Sequence, residues 1–466
     1  MSTDDTMADK VARAIKAYDI RGIVGEEMTE DFVAACGAAF GELMRTEGAD
    51  TVIVAHDMRT SSPVLAEAFI TGVLSRGVNV SMIGLASTDE MYCASGLWNC
   101  PGAMFTASHN PAQYNGIKMC RAQAKPIGAE TGLRTIAQWL VEGLPAYTGP
   151  TGTRTERPML ETYGEFVRSL VPMGQNRPLT VAVDAGNGMA GHTVPAVFAG
   201  LPVDVRPLYF ELDGTFPNHE ANPLDPKNLV DLQAFVRETG ADIGLAFDGD
   251  ADRCFVVDER GEPVSASAIC ALIATQYLQR QPGSTIIYNV ITSRAVPEIV
   301  SEHGGTPLRS RVGHSFIKGL MAQSGAVFGG EHSAHYYFSN FFNADSGIVA
   351  ALHVLAVLGG PGNPEHLPLS ELMATYTRYA ASGEINTRLA GADEQAEKTA
   401  AVLDHFADRI GEVDRLDGVS VFLKGTDAWF NLRASNTEPL LRLNVEARTP
   451  AEVDALVEEV LAIVRQ

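Results

Sequence analysis

Short apolar runs alternate with helix-length amphipathic stretches through most of the chain. Examples of the runs are the segments 51–55, 180–183, 242–247 and 284–288. A short apolar strand followed by an amphipathic helix is the repeating unit of α/β folds. The pattern therefore predicts an α/β protein in which helices cover predominantly buried strands.

Several of the predicted strands end in a polar cluster of unusual composition. Such clusters follow Phe105, Phe247 and Phe328 and occupy residues 106–111, 248–253 and 329–335. Ligands of open α/β sheets bind beyond the carboxyl ends of the strands. We therefore expect three similar units whose clusters face one cleft.

The end of the chain has a different pattern. The segments 419–423, 428–433 and 440–447 predict strands, and Thr449 and Pro450 predict the start of a last helix with an apolar face. Strands in close succession before one helix indicate a smaller α+β domain.

The length, apolar content and net charge of the chain exclude some classes of function. The chain has 466 residues, 45% of them apolar, and a formal net charge of -22. This length supports several domains with cores of their own. The acidic surface argues against a nucleic-acid or membrane partner, because neither supplies cations. The sequence also lacks a run of ~18 apolar residues that would span a membrane. An anionic small substrate would need a local basic pocket.

The N-terminus and the cysteines predict a cytoplasmic protein. Residues 1–5 are polar and acidic and do not resemble a signal peptide. The six cysteines are scattered and form no CxxC pair. This spacing favours reduced thiols over a disulfide framework or a thiolate metal cluster.

Ser108 lies in a polar turn, with His109 and Asn110 beside it and with Pro111 preventing a regular helix. The turn is either an ordinary loop or the site of a nucleophile. Lys118 could act there as a proton carrier, provided that its neighbours lower the pKa of its ammonium group. A lone lysine is more often solvated.

Asp248, Asp250 and Asp252 place hard oxygen donors at alternate positions, which suits a Mg²⁺ or Ca²⁺ ion. An EF-hand is the rival interpretation, since Glu259 falls where that loop has its last ligand. However, Arg253 stands where the EF-hand loop needs glycine, and the loop is preceded by a strand-like apolar run instead of a helix. Mg²⁺ is favoured. Together with the serine turn, the site indicates phosphoryl transfer through a metal-held phosphoserine.

Two further turns carry binding groups. Residues 329–335 offer a carboxylate, a hydroxyl and imidazoles, which suit sugar hydroxyls, although an incidental glycine turn is the commoner meaning. Residues 433–439, with Arg442 nearby, combine two guanidinium groups that can match phosphate oxygens bidentately. The alternative is a capped turn between two strands. We regard this turn as the best candidate for a phosphate anchor.

The four motifs TASHNP, DGDADR, GGEHSAH and RASNTEP, in this order, resemble those of the α-D-phosphohexomutases. Within that family the chain is similar to the bacterial phosphomannomutase/phosphoglucomutase group, from residues 18–22 to near the C-terminus. The resemblance implies an isomerase, an intramolecular phosphotransferase that interconverts hexose 1- and 6-phosphates. The implied substrates are mannose and glucose phosphates, and the implied intermediate and activator is a hexose 1,6-bisphosphate.

The resemblance also implies the domain organisation. It predicts four domains around a central cleft, namely three similar α/β domains with mixed sheets and a smaller C-terminal α+β domain. Glycine and proline at 144–158, and a less sharp junction at 261–267, mark two of the boundaries. The expected domains span residues 1–152, 153–263, 264–375 and 376–466.

The roles of individual residues follow from the same resemblance. Ser108 would be the phosphoserine, and Mg²⁺ would be held by its phosphate together with Asp248, Asp250 and Asp252. Candidate catalytic residues are Ser108, His109, Lys118, Arg21, Arg253 and His314, with Lys118 and His314 as general acid/base groups. Candidate substrate-binding residues are Glu331, Ser333, His335, Arg433, Ser435, Asn436, Thr437 and Arg442.

Two departures from the family pattern bear on the substrate. Many relatives have the sequence DVK where this chain has residues 289–291, so Arg294 or Arg311 would have to replace the lysine. The sugar loop reads GEHSAH, which leans towards mannose and glucose phosphates.

Other functions stay open at this point. They are a phosphoglucosamine mutase, a metal-dependent sugar-phosphate phosphatase, and a silent sugar-phosphate binding protein. We expect hexose phosphates as partners and a monomer or homodimer.

Overall fold

The computed structural model of the chain describes residues 6–435 and 439–466. The chain forms two compact units. The N-terminal unit comprises Met1–Val264, Met321–Gln323 and Ser333–Leu372, and the C-terminal unit comprises Ser265–Leu320, Ser324–His332 and Met373–Gln466.

The first sheet of the N-terminal unit is mixed. Its strands are β1 (Ile20–Ile23), β2 (Thr51–His56), β3 (Asn79–Leu85), β4 (Gly102–Phe105), β5 (Tyr114–Arg121), β6 (Lys125–Pro126) and β7 (Arg154–Glu156). Their order is β1-β5-β4-β2-β3-β7, with β6 paired to β5. The helices are α1 (Met7–Ala14), α2 (Glu30–Thr46), α3 (Ser62–Leu74), α4 (Thr88–Trp98) and α5 (Leu133–Glu142).

Helices α2 and α3 pack closely against each other, and α3 in turn contacts the end of β4. A Cβ at Gly37 would lie 2.1 Å from the Phe69 carbonyl oxygen, so glycine permits the helices to approach. The rings of Phe69 and Phe105 pack edge to face at 5.4 Å. Phe105 is the last residue of β4, and its burial anchors the polar turn that follows.

The second sheet of this unit carries the acidic turn. Its strands are β8 (Leu179–Asp184), β9 (Val203–Leu208), β10 (Ile243–Phe247), β11 (Cys254–Asp258) and β12 (Pro263–Val264), in the order β12-β11-β10-β8-β9. The helices α6 (Leu160–Leu170), α7 (Ala190–Phe198) and α8 (Val230–Thr239) belong to the same region. Every residue of β10 is buried, which explains its continuous apolar run. The acidic turn joins β10 to its antiparallel partner β11.

A third group of strands also contains parallel and antiparallel pairs. In the C-terminal unit, β13 (Thr285–Asn289) lies parallel to β14 (Thr306–Ser310) and to β15 (Phe328–Gly330). In the N-terminal unit, β16 (Tyr336–Phe338) and β17 (Ala344–Asp345) are antiparallel. The helices of this part of the chain are α9 (Ala266–Arg280), α10 (Ala295–Glu302), α11 (His314–Ser324), α12 (Gly347–Leu358) and α13 (Leu369–Met373).

The last sheet is wholly antiparallel. Its strands are β18 (Ala380–Arg388), β19 (Ile410–Asp414), β20 (Val419–Leu423), β21 (Trp429–Ala434) and β22 (Leu440–Ala447), in the order β18-β22-β21-β20-β19. The helices are α14 (Ala392–Phe406) and α15 (Pro450–Val464), and Thr449 begins α15 with a capping box. Short 3₁₀ helices occupy Ala129–Thr131, Pro226–Leu229, Ser339–Phe341 and Ala407–Arg409.

The structure confirms the α/β fold class and the different character of the C-terminal sheet. The apolar runs used as examples correspond to β2, β8, β10 and β13. The six cysteines are thiols and not disulfides. Within the described ranges, no helix has both the length and the apolar character needed to cross a membrane.

Candidate active site

The serine turn directly follows β4. Ser108 is 5% exposed and has a positive φ of 49°, a left-handed conformation that is uncommon for residues other than glycine. Its amide donates a hydrogen bond to Thr106 Oγ1 at 2.9 Å. The turn therefore presents a buried hydroxyl on a backbone that its surroundings must hold.

Arg59 supplies much of that support, and sequence reasoning missed it. Its guanidinium group donates to four carbonyl oxygens of the turn and its exit, those of Ser108, Asn110, Pro111 and Tyr114, at 2.7 to 3.0 Å. An ion pair with Asp57 at 3.2 Å balances its charge. The available signal was a polar Asp57 and Arg59 pair directly after the apolar run of β2.

The acidic turn contacts the serine turn. Ser108 Oγ donates to Asp248 Oδ2 at 2.8 Å. A Cβ at Gly249 would lie 2.4 Å from the Ser108 carbonyl oxygen, so glycine is required for this approach. Arg253 donates to Asp248 from its backbone and its Nε, and its Nη2 lies 3.4 Å from Ser108 Oγ.

The three aspartates form a group that suits a divalent cation. One oxygen from each of Asp248, Asp250 and Asp252 lies within 4.8 Å of the others, and all three residues are buried. Among the described residues, none donates a hydrogen bond to Asp250 Oδ1 or Asp252 Oδ1. Buried carboxylate oxygens without donors are costly unless a cation binds them, so the residues fit a hard metal ion.

Lys118 lies within this group. It lies on β5, opposite Met104 of β4. Its Nζ donates to Asp250 Oδ2 at 2.7 Å and to Asp252 Oδ2 at 2.6 Å. Burial lowers the pKa of Lys118, but the two carboxylates outweigh burial and hold that pKa well above its usual value. The condition set for Lys118 as a proton carrier, a pKa lowered by its neighbours, is therefore not met in this arrangement.

The aspartates differ in their protonation. Burial raises the pKa of Asp248 to about 7, although Arg253 acts in the opposite direction. Burial also raises the pKa of Asp250, but Lys118 and Thr88 outweigh it and leave that pKa below its usual value. Asp250 is therefore more firmly ionised than Asp248, and a bound cation would lower the pKa of Asp248 as well.

Thr88 is a second residue that sequence reasoning missed. It begins α4 and donates to Asp250 from its hydroxyl at 2.6 Å, while its amide donates to the Asp250 carbonyl oxygen at 3.1 Å. No motif in the sequence marks it, because its partner lies in the acidic turn, 162 residues later in the chain.

His109 and Arg21 also reach the serine turn. His109 Nδ1 lies 3.2 Å from Ser108 Oγ. Burial, together with Arg253 and Arg21, holds the pKa of His109 well below its usual value, so its ring is neutral. Arg21 Nη1 donates to Asn110 Oδ1 at 2.6 Å, and Arg21 also forms an ion pair with Asp19.

His335 joins the same site. Its Nδ1 lies 2.9 Å from Asp345 Oδ2, and His335, Asp345 and Asp252 each place a ligand atom within 4.8 Å of the others. Burial lowers the pKa of His335, but Asp345 outweighs it and the net shift is upward. Ser333 belongs to the same N-terminal unit.

The C-terminal unit holds Glu331. Its Oε1 accepts from Asn289 Nδ2 at 3.0 Å and from the Gly313 amide at 3.1 Å. Asn289, the first of the three residues that stand in place of the DVK sequence of many relatives, therefore orients Glu331. Arg294 is bonded to Glu298 and to the Asp427 carbonyl oxygen, and exposed Arg311 lies over the Phe316 ring. These contacts do not support either arginine as the replacement for the lysine.

The two anchor arginines lie on neighbouring strands of the same unit. Arg433 on β21 is directly opposite Arg442 on β22, and Arg442 Nη2 donates to Ser435 Oγ at 3.3 Å. Both arginines form ion pairs with Glu384, a residue that sequence reasoning missed. Asn436 and Thr437 lie outside the described residues, and so does the side chain of His314.

Profiles of one protein family match almost the whole length of the chain. Profiles of the phosphoglucomutase/phosphomannomutase α/β/α domains I, II and III match residues 12–141, 161–261 and 265–379. The profile of the C-terminal domain matches residues 384–463. The chain belongs to the phosphoglucomutase/phosphomannomutase family. The predicted family and four-domain fold are confirmed, as is the enzyme class, a phosphohexomutase isomerase.

Individual relatives of this mutase agree with the assignment. It is 39% identical over 461 residues to a phosphomannomutase of Escherichia coli, covering 97% of this chain and 98% of the relative. It is 39% identical over 441 residues to phosphohexose mutases of Xanthomonas campestris pv. campestris, covering 94% and 96%. A solved phosphoglucomutase/phosphomannomutase family protein of Burkholderia thailandensis has a TM-score of 0.87 and 30% identity, covering 99% and 98%.

Proposed function

We propose that this mutase interconverts the 1- and 6-phosphates of mannose, glucose or both, through a phosphorylated Ser108 and a hexose 1,6-bisphosphate. The observation that carries the proposal is the contact of Ser108 Oγ with Asp248 at 2.8 Å, inside a buried group of three aspartates. A serine hydroxyl that bonds a cation-binding carboxylate is suited to carry a phosphoryl group.

Mg²⁺ fits the donor set. Asp248, Asp250 and Asp252 would hold it together with the phosphate on Ser108, and the carboxylate oxygens that lack hydrogen-bond donors support this assignment. When bound, the ion would neutralise charge on the transferring phosphoryl group. The side chain of Arg253, 3.4 Å from Ser108 Oγ, would contact the same phosphate.

Transfer in the first half-reaction breaks the Ser108 Oγ–phosphorus bond and forms a bond to the free sugar hydroxyl. The proton of that hydroxyl passes to a general base, for which Lys118 and His314 are the candidates, and the departing Ser108 Oγ takes up a proton to become a hydroxyl, so the step releases no net proton. Lys118 is held protonated by Asp250 and Asp252, so it can accept this proton only if those contacts weaken. Ser108 then takes up the other phosphoryl group of the bisphosphate, which completes the isomerisation.

His109 and Arg21 would assist at the serine. The neutral imidazole of His109, close to Ser108 Oγ, can exchange a proton with that hydroxyl when it is not phosphorylated. Arg21 would position the transferring phosphate, because its guanidinium group already bonds the serine turn through Asn110.

The remaining candidates would bind the substrate. Glu331, Ser333 and His335 would bond the sugar hydroxyls. Arg433, Ser435, Asn436, Thr437 and Arg442 would hold the phosphate that does not react. An anchor of this kind must accept either end of the sugar, since the bisphosphate has to turn round between the half-reactions. We further propose a cytoplasmic enzyme, consistent with its cysteine thiols.

The test is a coupled mutase assay with Mg²⁺ and a trace of the matching 1,6-bisphosphate, which compares mannose, glucose and glucosamine 1-phosphates. Formation of mannose and glucose 6-phosphates supports the proposal. Preference for the amino sugar would make the chain a phosphoglucosamine mutase. Release of free phosphate without an isomer would indicate a phosphatase, and binding without turnover would indicate a silent binding protein.

A further inference from the structure

The phosphate anchor places two like charges side by side. Arg433 and Arg442 are direct cross-strand partners, and side chains of such partners project from the same face of the sheet. Arg433 is 7% exposed. In the described part of the chain, no group accepts a hydrogen bond from Nε of either arginine. Two guanidinium groups in this arrangement require an anion between them.

Glu384 supplies that anion from within the chain. It lies on β18 two positions before Asn386, the partner of Arg442, and therefore shares the face of both arginines. Its Oε2 is 3.4 Å from Arg433 Nη2, and its Oε1 is 3.3 Å from Arg442 Nη1. These distances exceed the ~2.7–2.9 Å of strong charge-assisted hydrogen bonds. The Glu384 side chain is 26% exposed, so the carboxylate is loosely bound and can move into solvent.

We propose that Glu384 is an internal competitor for the phosphate anchor. The proposal rests on the function proposed above for Arg433 and Arg442. A substrate phosphate displaces the carboxylate, and the carboxylate returns when the phosphate leaves, so the two guanidinium groups keep an anionic partner throughout. Exchange of one anion for another weakens phosphate binding and speeds phosphate release. A bisphosphate that must leave the anchor by one end and return by the other requires such release.

Calorimetric titration with inorganic phosphate tests the proposal without turnover. The variants are Glu384→Gln, Arg433→Gln, the double variant of these two, and Glu412→Gln as a control at an exposed glutamate on β19. We expect Glu384→Gln to bind phosphate roughly tenfold more tightly than the unchanged chain. The gain should vanish in the double variant, and the control should match the unchanged chain.

An unchanged or weaker phosphate affinity in folded Glu384→Gln would overturn the proposal and leave Glu384 a structural counter-ion. If Glu384→Gln does not fold, Glu384→Asp provides the test, because it keeps the charge and withdraws it by one methylene. It should bind phosphate more tightly than the unchanged chain, and equal affinity would overturn the proposal. The unchanged chain could lack mutase activity while Glu384→Gln still binds phosphate more tightly than it does. That outcome would refute the proposed function and preserve this inference.

Discussion

At the scale of single residues, Thr88 shows how a residue outside the motifs can position a candidate cation ligand. Its hydroxyl and amide both bond Asp250. We expect Thr88→Val to weaken Mg²⁺ or Mn²⁺ binding by at least roughly tenfold, as loss of an outer-shell hydrogen bond commonly does. Direct calorimetric titration with the metal is the measurement. Thr88→Ser retains the hydroxyl and should restore the affinity, and equal affinities in all three proteins would refute this role.

Arg59 has a comparable role at the serine turn. Lysine carries the charge of arginine but lacks the fork that reaches four carbonyl oxygens. We expect Arg59→Lys to lower kcat by about 100-fold with a smaller change in KM, because the Ser108 hydroxyl would lose its position. Mutase kinetics and a thermal unfolding curve together make the measurement. A folded variant with unchanged kcat would show that the turn holds Ser108 without Arg59.

At the scale of elements, the first turn of α4 contains adjacent buried carboxyls, Asp89 and Glu90. Burial raises the pKa of Asp89 to about 6 and that of Glu90 to about 8. Asp89 accepts hydrogen bonds from Tyr163 on α6 at 2.7 Å and from Ser346 before α12 at 2.5 Å. The bonds give Asp89 partners on two other elements, whereas no described residue bonds Glu90 Oε2.

The raised pKa of Glu90 predicts a pH dependence of stability. The native state keeps this proton up to about pH 8, while the unfolded state loses it near the ordinary glutamate pKa of 4.5. The free energy of unfolding should therefore fall as the pH rises from about 4.5 to about 8. Glu90→Gln removes this contribution, so the variant should gain a few kcal/mol relative to the unchanged chain between these limits.

Urea unfolding of both proteins at pH 5 and pH 8.5 is the measurement for Glu90. Glu165→Gln, at an exposed position on α6, controls for the loss of a surface charge. The same difference in unfolding free energy at both pH values would contradict the prediction.

The elements also show what a sequence pattern can and cannot predict. Strands β2, β8, β10 and β13 were predictable because buried strands read as continuous apolar runs. The edge strand β18 alternates half-buried and exposed residues, so hydrophobicity does not mark it, and Glu384 on it was missed. Arg59, Thr88 and Asn289 were missed for a related reason. Each acts on a partner distant in sequence, and only the fold brings the two together.

At the scale of the whole molecule, the motifs and the family resemblance were sufficient for the fold class and the family, and they named candidate site residues in the N-terminal unit. The structure brings Ser108, Lys118 and the three aspartates together. The sequence could not predict how charge is shared among them, because burial and pairing depend on tertiary contacts. The pKa of Lys118, which is raised where a proton carrier would need it lowered, is the clearest case. The domain boundaries and the sugar preference stay predictions.

The net charge of the whole molecule bears on how it would bind an anionic substrate. With a net charge of -22, the surface repels sugar phosphates in general, so we expect their binding to depend on local groups such as Arg433 and Arg442. Removal of the metal by a chelator should abolish turnover and leave most phosphate binding at this anchor. Phosphate titration in the chelator is the measurement, and loss of that binding would show that the anchor depends on the metal.

The central claim is that Ser108 carries the phosphoryl group between the two ends of the sugar. The most direct test is incubation with hexose 1,6-bisphosphate labelled in its phosphates, followed by a chase with unlabelled hexose 6-phosphate. We predict label on Ser108 that the chase returns to sugar bisphosphate, and no label on Ser108→Ala. Label on Ser108→Ala, or label on the unchanged chain that leaves only as free phosphate, would contradict the account.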